Sequence, residues 1–366
     1  IACYPPLVLL SPQPYAQHLT MPFFALAAYC WLSVVCPAPI AKAGERHNDN
    51  QACSERHSNA RGVRLSMATG LFLGIAVLSK PATSSIAIVC VITAVGKMVF
   101  SKRFERMMGI GICAALLASF ALVLPVMLWN QGSGAGLTIS TNNERNFWLG
   151  NNPYTPHYKT SHLAMTPLDE LPEETRRYLL KFYNREKMQD DEAWIRKISN
   201  LRHARMAEAA DYIIANPGVF LLRTLNRARA FWGFDYLASR QIQQWLGWGI
   251  GGLCLLLLFE AGGYVAVMLL ALVGIFAKGT RLNRFWKWGL IAFVLAYQLP
   301  YCFAFAAGTY HFPVMGLLIP FAAIGAQHVR ERELRKVAVQ PRVLIPVLIF
   351  LAIQVEYAYF AIKWMD

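Results

Sequence analysis

Long apolar runs alternate with short, mostly basic polar stretches along this chain, and the runs 65–79 and 82–100 are divided only by a Lys80-Pro81 pair. Each arm approaches the roughly 17–25 residues that a bilayer-spanning helix needs, the first being short. Pro81 lacks a backbone donor and disfavours helix at Lys80, so the chain is expected to turn there. A lysine at such a turn faces water or a polar cavity, because isolated charge in hydrocarbon is expensive. The same pattern places further spans near 19–36, 107–129, 252–277, 289–306, 313–328 and 343–362, eight in all. The run 245–277 is too long for one upright helix through about 30 Å of hydrocarbon. Its start, QQWLGWGIGG, reads as an interfacial approach with its Trp residues at headgroup level. That choice sets Glu260 near the outer interface, where headgroups tolerate its charge.

Charge then orients the spans. The 366 residues are 56% hydrophobic and 15% charged, well below the roughly 25% charged of soluble domains. The formal net charge of +14 comes from clusters between apolar runs: Lys42 to Arg64, Lys97 to Arg106, Lys278 to Lys287 and Arg330 to Arg342. These clusters occupy every second gap, as the positive-inside rule requires. The alternation puts 37–64, 101–106, 278–288 and 329–342 inside. It puts the Lys80 turn, 130–251, 307–312 and the C-terminus outside. No basic stripe with interleaved aromatics appears, so nucleic acid is not expected as a partner. The expected fold is an all-α polytopic transmembrane bundle with one large, mainly helical extracytoplasmic loop region. It divides into membrane segments 1–129, the loop 130–251 and membrane segments 252–366.

The outer segment opens with flexible QGSGAG, and Gly150-Asn151-Asn152-Pro153 has turn chemistry. Helical patterns follow at about 173–188 and 191–215, with Asp190-Asp191 reading as helix-start chemistry. Asn216 suits an N-cap with Pro217 in the first helical position. In VFLLRTLNRARAFW, Phe220, Leu221, Leu225, Ala228 and Phe231 recur at helical spacing opposite Arg223 and Arg227. That is a basic amphipathic helix suited to lie on a membrane surface.

Eight cysteines, none within 130–251 and none in C-x-x-C spacing, indicate neither a disulfide framework nor a zinc site. They read as small, reduced hydrophobes. His157 and His162 lie in a loop without a nearby carboxylate, so no metal site is expected there, and His18 reads as a polar residue at a helix entry. No GxGxxG, Walker-type loop, HExxH or GxSxG occurs. The chain opens on Ile1 within an apolar segment, and the expectation is that an N-terminal portion precedes it.

Four stretches carry a resemblance. GLFLGIAVLSKP resembles the G-L-x-x-G-x-A-x-L-[ST]-K-P stretch of GT-C membrane glycosyltransferases, the group including protein mannosyltransferases and lipid A aminoarabinose transferases. NFWLGNNP is similar to their F-x-x-G-N-N-P segment, and AADYIIANPGVFLLRTLNRARAFW to the A-x-x-Y-I-x-x-x-P run before a Phe-Trp pair. TYHFPVMGLLIP is similar to R-Y-x-x-P-x-x-P-L-L-x-P at a late helix. Order and spacing match along nearly the whole chain. Two departures stand out: Thr309 replaces the arginine before Tyr, and Gln17-His18 stands where members commonly have Ser-Glu.

The resemblance implies inverting transfer of a sugar from a polyprenyl-phosphate donor to an extracytoplasmic acceptor (lipid, glycan or protein), in a bacterial inner membrane. A carboxylate general base and donors to the leaving phosphate are required. The acidic residue that the resemblance makes catalytic belongs to a first outer loop upstream of Ile1, so this fragment alone is expected to be inactive. Lys80 suits the phosphate, Tyr310 and His311 the phosphate or sugar hydroxyls, and Asn151 and Asn152 the sugar. Each has a plainer reading: snorkelling for Lys80, interface anchoring for Tyr310 and His311, a structural turn for the asparagines. No cofactor is specified, and a divalent metal stays open. Membrane lipids are the remaining partner. A lipid-sugar ligase or polymerase, a transporter and a noncatalytic membrane protein are the alternatives, although no internal repeat of the transporter kind is visible.

Overall fold

The structure, a computed structural model, describes residues 16–36, 49–101, 106–140, 143–158, 168–183, 204–277, 282–331 and 340–363. Among the described residues there are helices and no strand. In order they are α1 Ala16–Val35, α2 Asp49–Ser79, α3 Ile86–Ser101, α4 Arg106–Gly132, α5 Asn143–Gly150 and α6 Glu173–Tyr183. Then come α7 (204–215), α8 Pro217–Phe231, α9 Leu237–Leu246, α10 Ile250–Phe276, α11 Arg284–Phe303, α12 Phe312–Arg330 and α13 Pro341–Lys363. Short 3-10 turns occupy Pro81–Ser85, Leu168–Glu170 and Gly308–His311. Long apolar runs become helices because only a helix satisfies all its own backbone donors and acceptors without water.

Five described stretches are long and apolar enough to cross a bilayer: Ala60–Ser79, Met108–Gly132, Ile250–Phe276, Gly308–Arg330 and Pro341–Tyr359. Leu19–Val35 and Pro81–Lys97 are apolar but shorter. The expected span 289–306 falls on α11, which begins earlier, at Arg284, ends at Phe303 and is not among the five. The chain is an integral membrane protein built of helices. Outward faces agree: Ile88, Ile92, Val95 and Val99 on α3, and Ile345, Leu348, Ile349 and Val355 on α13, are exposed at helical spacing. Apolar stripes of that length turned outward suit lipid, not water.

The chain divides into two compact units. The first comprises Ile1–Leu122, Trp232–Tyr297 and Gly308–Asp366; the second comprises Val123–Phe231 and Gln298–Ala307. In the first, α1 packs along α2 and α12, and α12 packs along α10. Aromatic side chains fill the space beside α1, with Phe24 stacked on Tyr297 at 5.4 Å and Trp31 Nε1 donating to Thr93 Oγ1 at 2.9 Å. Close approach of α10 and α12 depends on two glycines. A Cβ on Gly274 would lie 2.0 Å from the Phe321 carbonyl, and one on Gly325 2.0 Å from that of Leu270. Without a hydrophobic force between helices in lipid, such backbone contact is what holds neighbours together. Cys30 and Cys90 are buried in this unit as expected, whereas Cys113 and Cys254 are exposed.

In the second unit, helix α6 ends at Tyr183 and α7 resumes by 204, and residues 184–203, with Asp190 and Asp191, lie outside the described residues. Asn216 precedes α8 and Pro217 opens it, as expected. The Asn216 amide nitrogen turns back to the Tyr212 carbonyl at 3.1 Å, closing α7. The orientation of α8 reverses a simple amphipathic reading. Arg223 (1% exposed), Asn226, Arg227 (0%), Ala230 and Phe231 form the buried face, and Leu221 and Leu225, each 61% exposed, form the outer one. The guanidinium groups face protein, and the leucines face out.

Candidate functional site

Lys80 owes its position to the end of α2. Its backbone is extended (φ −148°, ψ 99°), and Pro81 starts the following 3-10 turn. Thr83 donates both its backbone N–H (2.9 Å) and its hydroxyl (2.7 Å) to the Lys80 carbonyl, fixing the turn. Ser85 Oγ ties the same turn to α11 through the Ala296 carbonyl at 2.7 Å. The side chain then reaches Tyr310, with Nζ 4.4 Å from the ring centroid. A cation over an aromatic face gains about 0.5–2 kcal/mol, more as water is excluded. Burial pulls the Lys80 ammonium down to about 8, and among the described residues no carboxylate pairs with it. The result is a partly desolvated cation at a helix junction, charged at neutral pH and held by a ring.

Tyr310 rides on the 3-10 turn Gly308–His311 that leads into α12. Gly308 is required here, since a Cβ would lie 2.8 Å from the Gly233 carbonyl and 3.0 Å from Phe234 backbone atoms. The His311 side chain packs in the core. It is 0% exposed and stacks on Tyr264 of α10, with centroids 4.1 Å apart and planes at 19°. Lys80 and Tyr310 therefore meet, and the His311 ring locks the turn that carries Tyr310.

The segment after α8 is anchored by a buried polar network. Tyr264 Oη and Gln354 Nε2 both donate to the Trp232 carbonyl at 2.9 Å, and the Phe234 N–H donates to Gln354 Oε1 at 3.0 Å. Glu260, one turn before Tyr264 on α10, is buried in protein and not exposed to headgroups as its place in the sequence suggests. It is 1% exposed and accepts a hydrogen bond from Ser239 Oγ. The correction has a simple cause: α9 folds back along α10 and covers the carboxylate.

Asn151 and Asn152 lie in the second unit, both buried, and the chain itself uses their side chains. Asn152 Oδ1 accepts from the N–H groups of Tyr154 (2.9 Å) and Thr155 (3.0 Å), while its Nδ2 donates to the carbonyls of Trp148 and Leu149. Asn151 Nδ2 donates to the carbonyls of Phe147 and Phe303 at 2.8 and 2.9 Å. Arg223 donates to the carbonyls of Asn152 and Thr155. Arg227 donates to Gly150, Cys302 and Phe303 carbonyls and to Asn151 Oδ1. Gly150 ends α5 and Phe303 ends α11, so one guanidinium meets two helix C-termini, each a partial negative charge. Among the described residues, neither buried arginine forms a salt bridge with a carboxylate, and backbone carbonyls take that place. Burial, with the neighbouring Arg223 charge, pulls Arg227 down to about 9, so it stays cationic at neutral pH. A Cβ on Gly150 would lie 1.8 Å from the Ala304 carbonyl, which accounts for the glycine of the GNNP turn.

Sequence reasoning missed this knot, although Arg223, Asn226, Arg227 and Ala230 sit at helical spacing and signal a single face. His157 is exposed, its carbonyl accepting from Asn226 at 2.7 Å, and His162 lies outside the described residues, as does the His18 side chain. Among the described residues, no three His, Cys, Asp or Glu side chains converge as a metal site. No protein-family profile, curated protein or solved structure matches the chain.

Proposed function

We propose that this chain is a membrane glycosyltransferase that takes a sugar from a polyprenyl-phosphate donor, on the extracytoplasmic side of a bacterial inner membrane. The observation that carries the reading is Lys80, a desolvated ammonium held 4.4 Å from the Tyr310 ring where two apolar helices meet. A lipid phosphate needs a cation beside apolar helices that can take the tail, and Lys80 ends one such helix and precedes another. The four motifs in family order support the same reading, and two of them supply Lys80 and Tyr310.

In the reaction the acceptor hydroxyl attacks the anomeric carbon as the bond from that carbon to the phosphate oxygen breaks. The electron pair leaves with the phosphate, and the acceptor proton passes to a carboxylate general base. Lys80 stabilises the charge that accumulates on the departing phosphate, an electrostatic contribution that grows toward the transition state. The Tyr310 phenol is the adjacent hydrogen-bond donor.

The test is transfer from a labelled polyprenyl-phosphate sugar by purified full-length protein in nanodiscs. Release of free polyprenyl phosphate with the sugar on an acceptor is expected. Full-length protein that neither binds nor consumes such donors would overturn the proposal in favour of a transporter or a noncatalytic protein.

A further inference from the structure

Helix α8 turns an uncharged face outward. Every exposed position from 214, at the end of α7, to 225 holds Ile, Ala, Pro, Gly or Leu, with Ile214 77% exposed. From 226 to the end of α8 no residue is exposed. A helix facing water places polar groups outward. This one places leucines there and holds the guanidinium groups of Arg223 and Arg227 against backbone carbonyls. Arg229 is half-buried and lies 5.7 Å from the Tyr158 ring centroid.

Two observations within the same compact unit say what covers this face. The unit contains the end of a stretch long enough to cross a bilayer, since α4 enters it at Val123 and the stretch runs to Gly132. Exposed Val126, Leu128 and Trp129 precede the exposed, polar Gln131 there, and a Trp at that point suits the headgroup level. A unit that includes the end of a spanning helix has a bilayer against it. The other observation is continuity. Helix α8 packs on the last turns of α11, where Gln298 Nε2 donates to the Ala228 carbonyl at 3.2 Å and Phe220 stacks on Phe303 with centroids 6.1 Å apart. The exposed residues in that part of α11, Leu299 and Phe303, are apolar as well, so Phe220 joins the outer faces of the two helices. A second copy of the chain fits this face less well. The stripe is one helix of 15 residues wide and about 22 Å long, whereas lasting protein interfaces bury roughly 800 Å² on each partner.

We propose that α8 is an interfacial helix whose outer face, Leu221, Leu222 and Leu225 with Ile214, inserts among lipid acyl chains at the headgroup boundary. The partner is hydrocarbon and not headgroup charge, because the two arginines that would meet phosphates on a basic amphipathic helix are engaged inside the protein. Insertion of this kind is driven by buried apolar area and needs no anionic lipid. Arg227 also donates to the Gly150 carbonyl, so the inserted helix holds the GNNP turn near the membrane surface. The inference stands apart from sugar transfer.

Photolabelling of the unaltered full chain in lipid vesicles tests it. A phosphatidylcholine with a diazirine near the headgroup end of one acyl chain reacts with whatever lies in the upper hydrocarbon, and mass spectrometry locates the adducts. Adducts are expected on Leu221, Leu222 or Leu225 and on the α4 segment ending at Trp129, and not on Glu173 and Glu174 at the exposed start of α6. The yield on α8 should be the same in phosphatidylcholine alone and in mixtures with anionic phosphatidylglycerol. The double substitution Leu221→Gln, Leu225→Gln should lose the α8 adducts and keep those near Trp129, with protection of the buried Cys302 thiol from alkylation reporting an intact unit. The measurement on the unaltered chain decides the matter even where that variant does not fold. Adducts near Trp129 with none on α8 overturn the proposal, as do α8 adducts that form only with anionic lipid. Adducts on α8 that grow as the protein is diluted in lipid also overturn it, in favour of a second copy covering this face.

Discussion

Arg227→Ala should release the second unit's central knot, and the size of the effect follows from its contacts. The guanidinium donates to three backbone carbonyls and one side-chain amide oxygen. Truncation takes a donor from each of these acceptors, of which the Phe303 carbonyl keeps Asn151 Nδ2, and removes the cation from two helix C-termini. A hydrogen bond to a charged group contributes about 1.5–3 kcal/mol, but four sharing one side chain do not add. We take the loss as about 3–5 kcal/mol, the range for breaking a buried charge network. Cys302 provides a local reporter, because its carbonyl is one of the acceptors and its thiol is buried. With reclosing faster than alkylation, labelling follows the open fraction, so about 3 kcal/mol corresponds to roughly a hundredfold faster modification. The exposed Cys113 serves as the reference and should react at an unchanged rate. Arg227→Lys should recover only part, since a point charge cannot reach several carbonyls held in a fork. Cys302 labelling no faster in Arg227→Ala than in the unaltered protein would refute the clamp.

Lys80→Ala should weaken polyprenyl-phosphate binding by roughly ten- to hundredfold in a donor-binding titration, the loss of one charge-assisted hydrogen bond of about 1.5–3 kcal/mol; Lys80→Arg should rescue partly. Because burial holds the Lys80 ammonium near about 8, it is charged below that pH and neutral above it. Donor affinity should therefore be flat below about 8 and decline by up to tenfold per unit above it, a slope absent from Lys80→Ala. Gly325→Ala should lower the unfolding temperature, since its Cβ would lie 2.0 Å from the Leu270 carbonyl and the α10–α12 pair must separate; an unchanged midpoint contradicts the close crossing. Single cysteines at positions 47 and 157 in a cysteine-free background should be labelled from opposite sides of the membrane, and labelling from one side contradicts the charge-derived topology.

Periodicity and run length alone determined that the chain is helical and membrane-embedded, because hydrocarbon leaves the backbone few alternatives. The break at Lys80 and the Asn216-Pro217 start of α8 were legible for the same kind of reason: proline restricts the backbone locally, whereas Gly150 is required by the Ala304 carbonyl, far away in sequence. What the sequence left undetermined is which side of an element faces what. Arg223 and Arg227 mark a polar stripe, but only the helix ends gathered around them, at Gly150 and Phe303, decide that the stripe is buried. Glu260 has no sequence neighbour to reveal its cover; Ser239 reaches it because α9 folds back onto α10. His311 and Tyr310 are adjacent in sequence, yet one joins the core against Tyr264 and the other meets Lys80, some 230 residues away by subtraction of their numbers. Backbone conformation is set by neighbours in sequence, whereas the partner of a charge is set by whatever packing brings within a few ångströms, and that is a property of the tertiary structure.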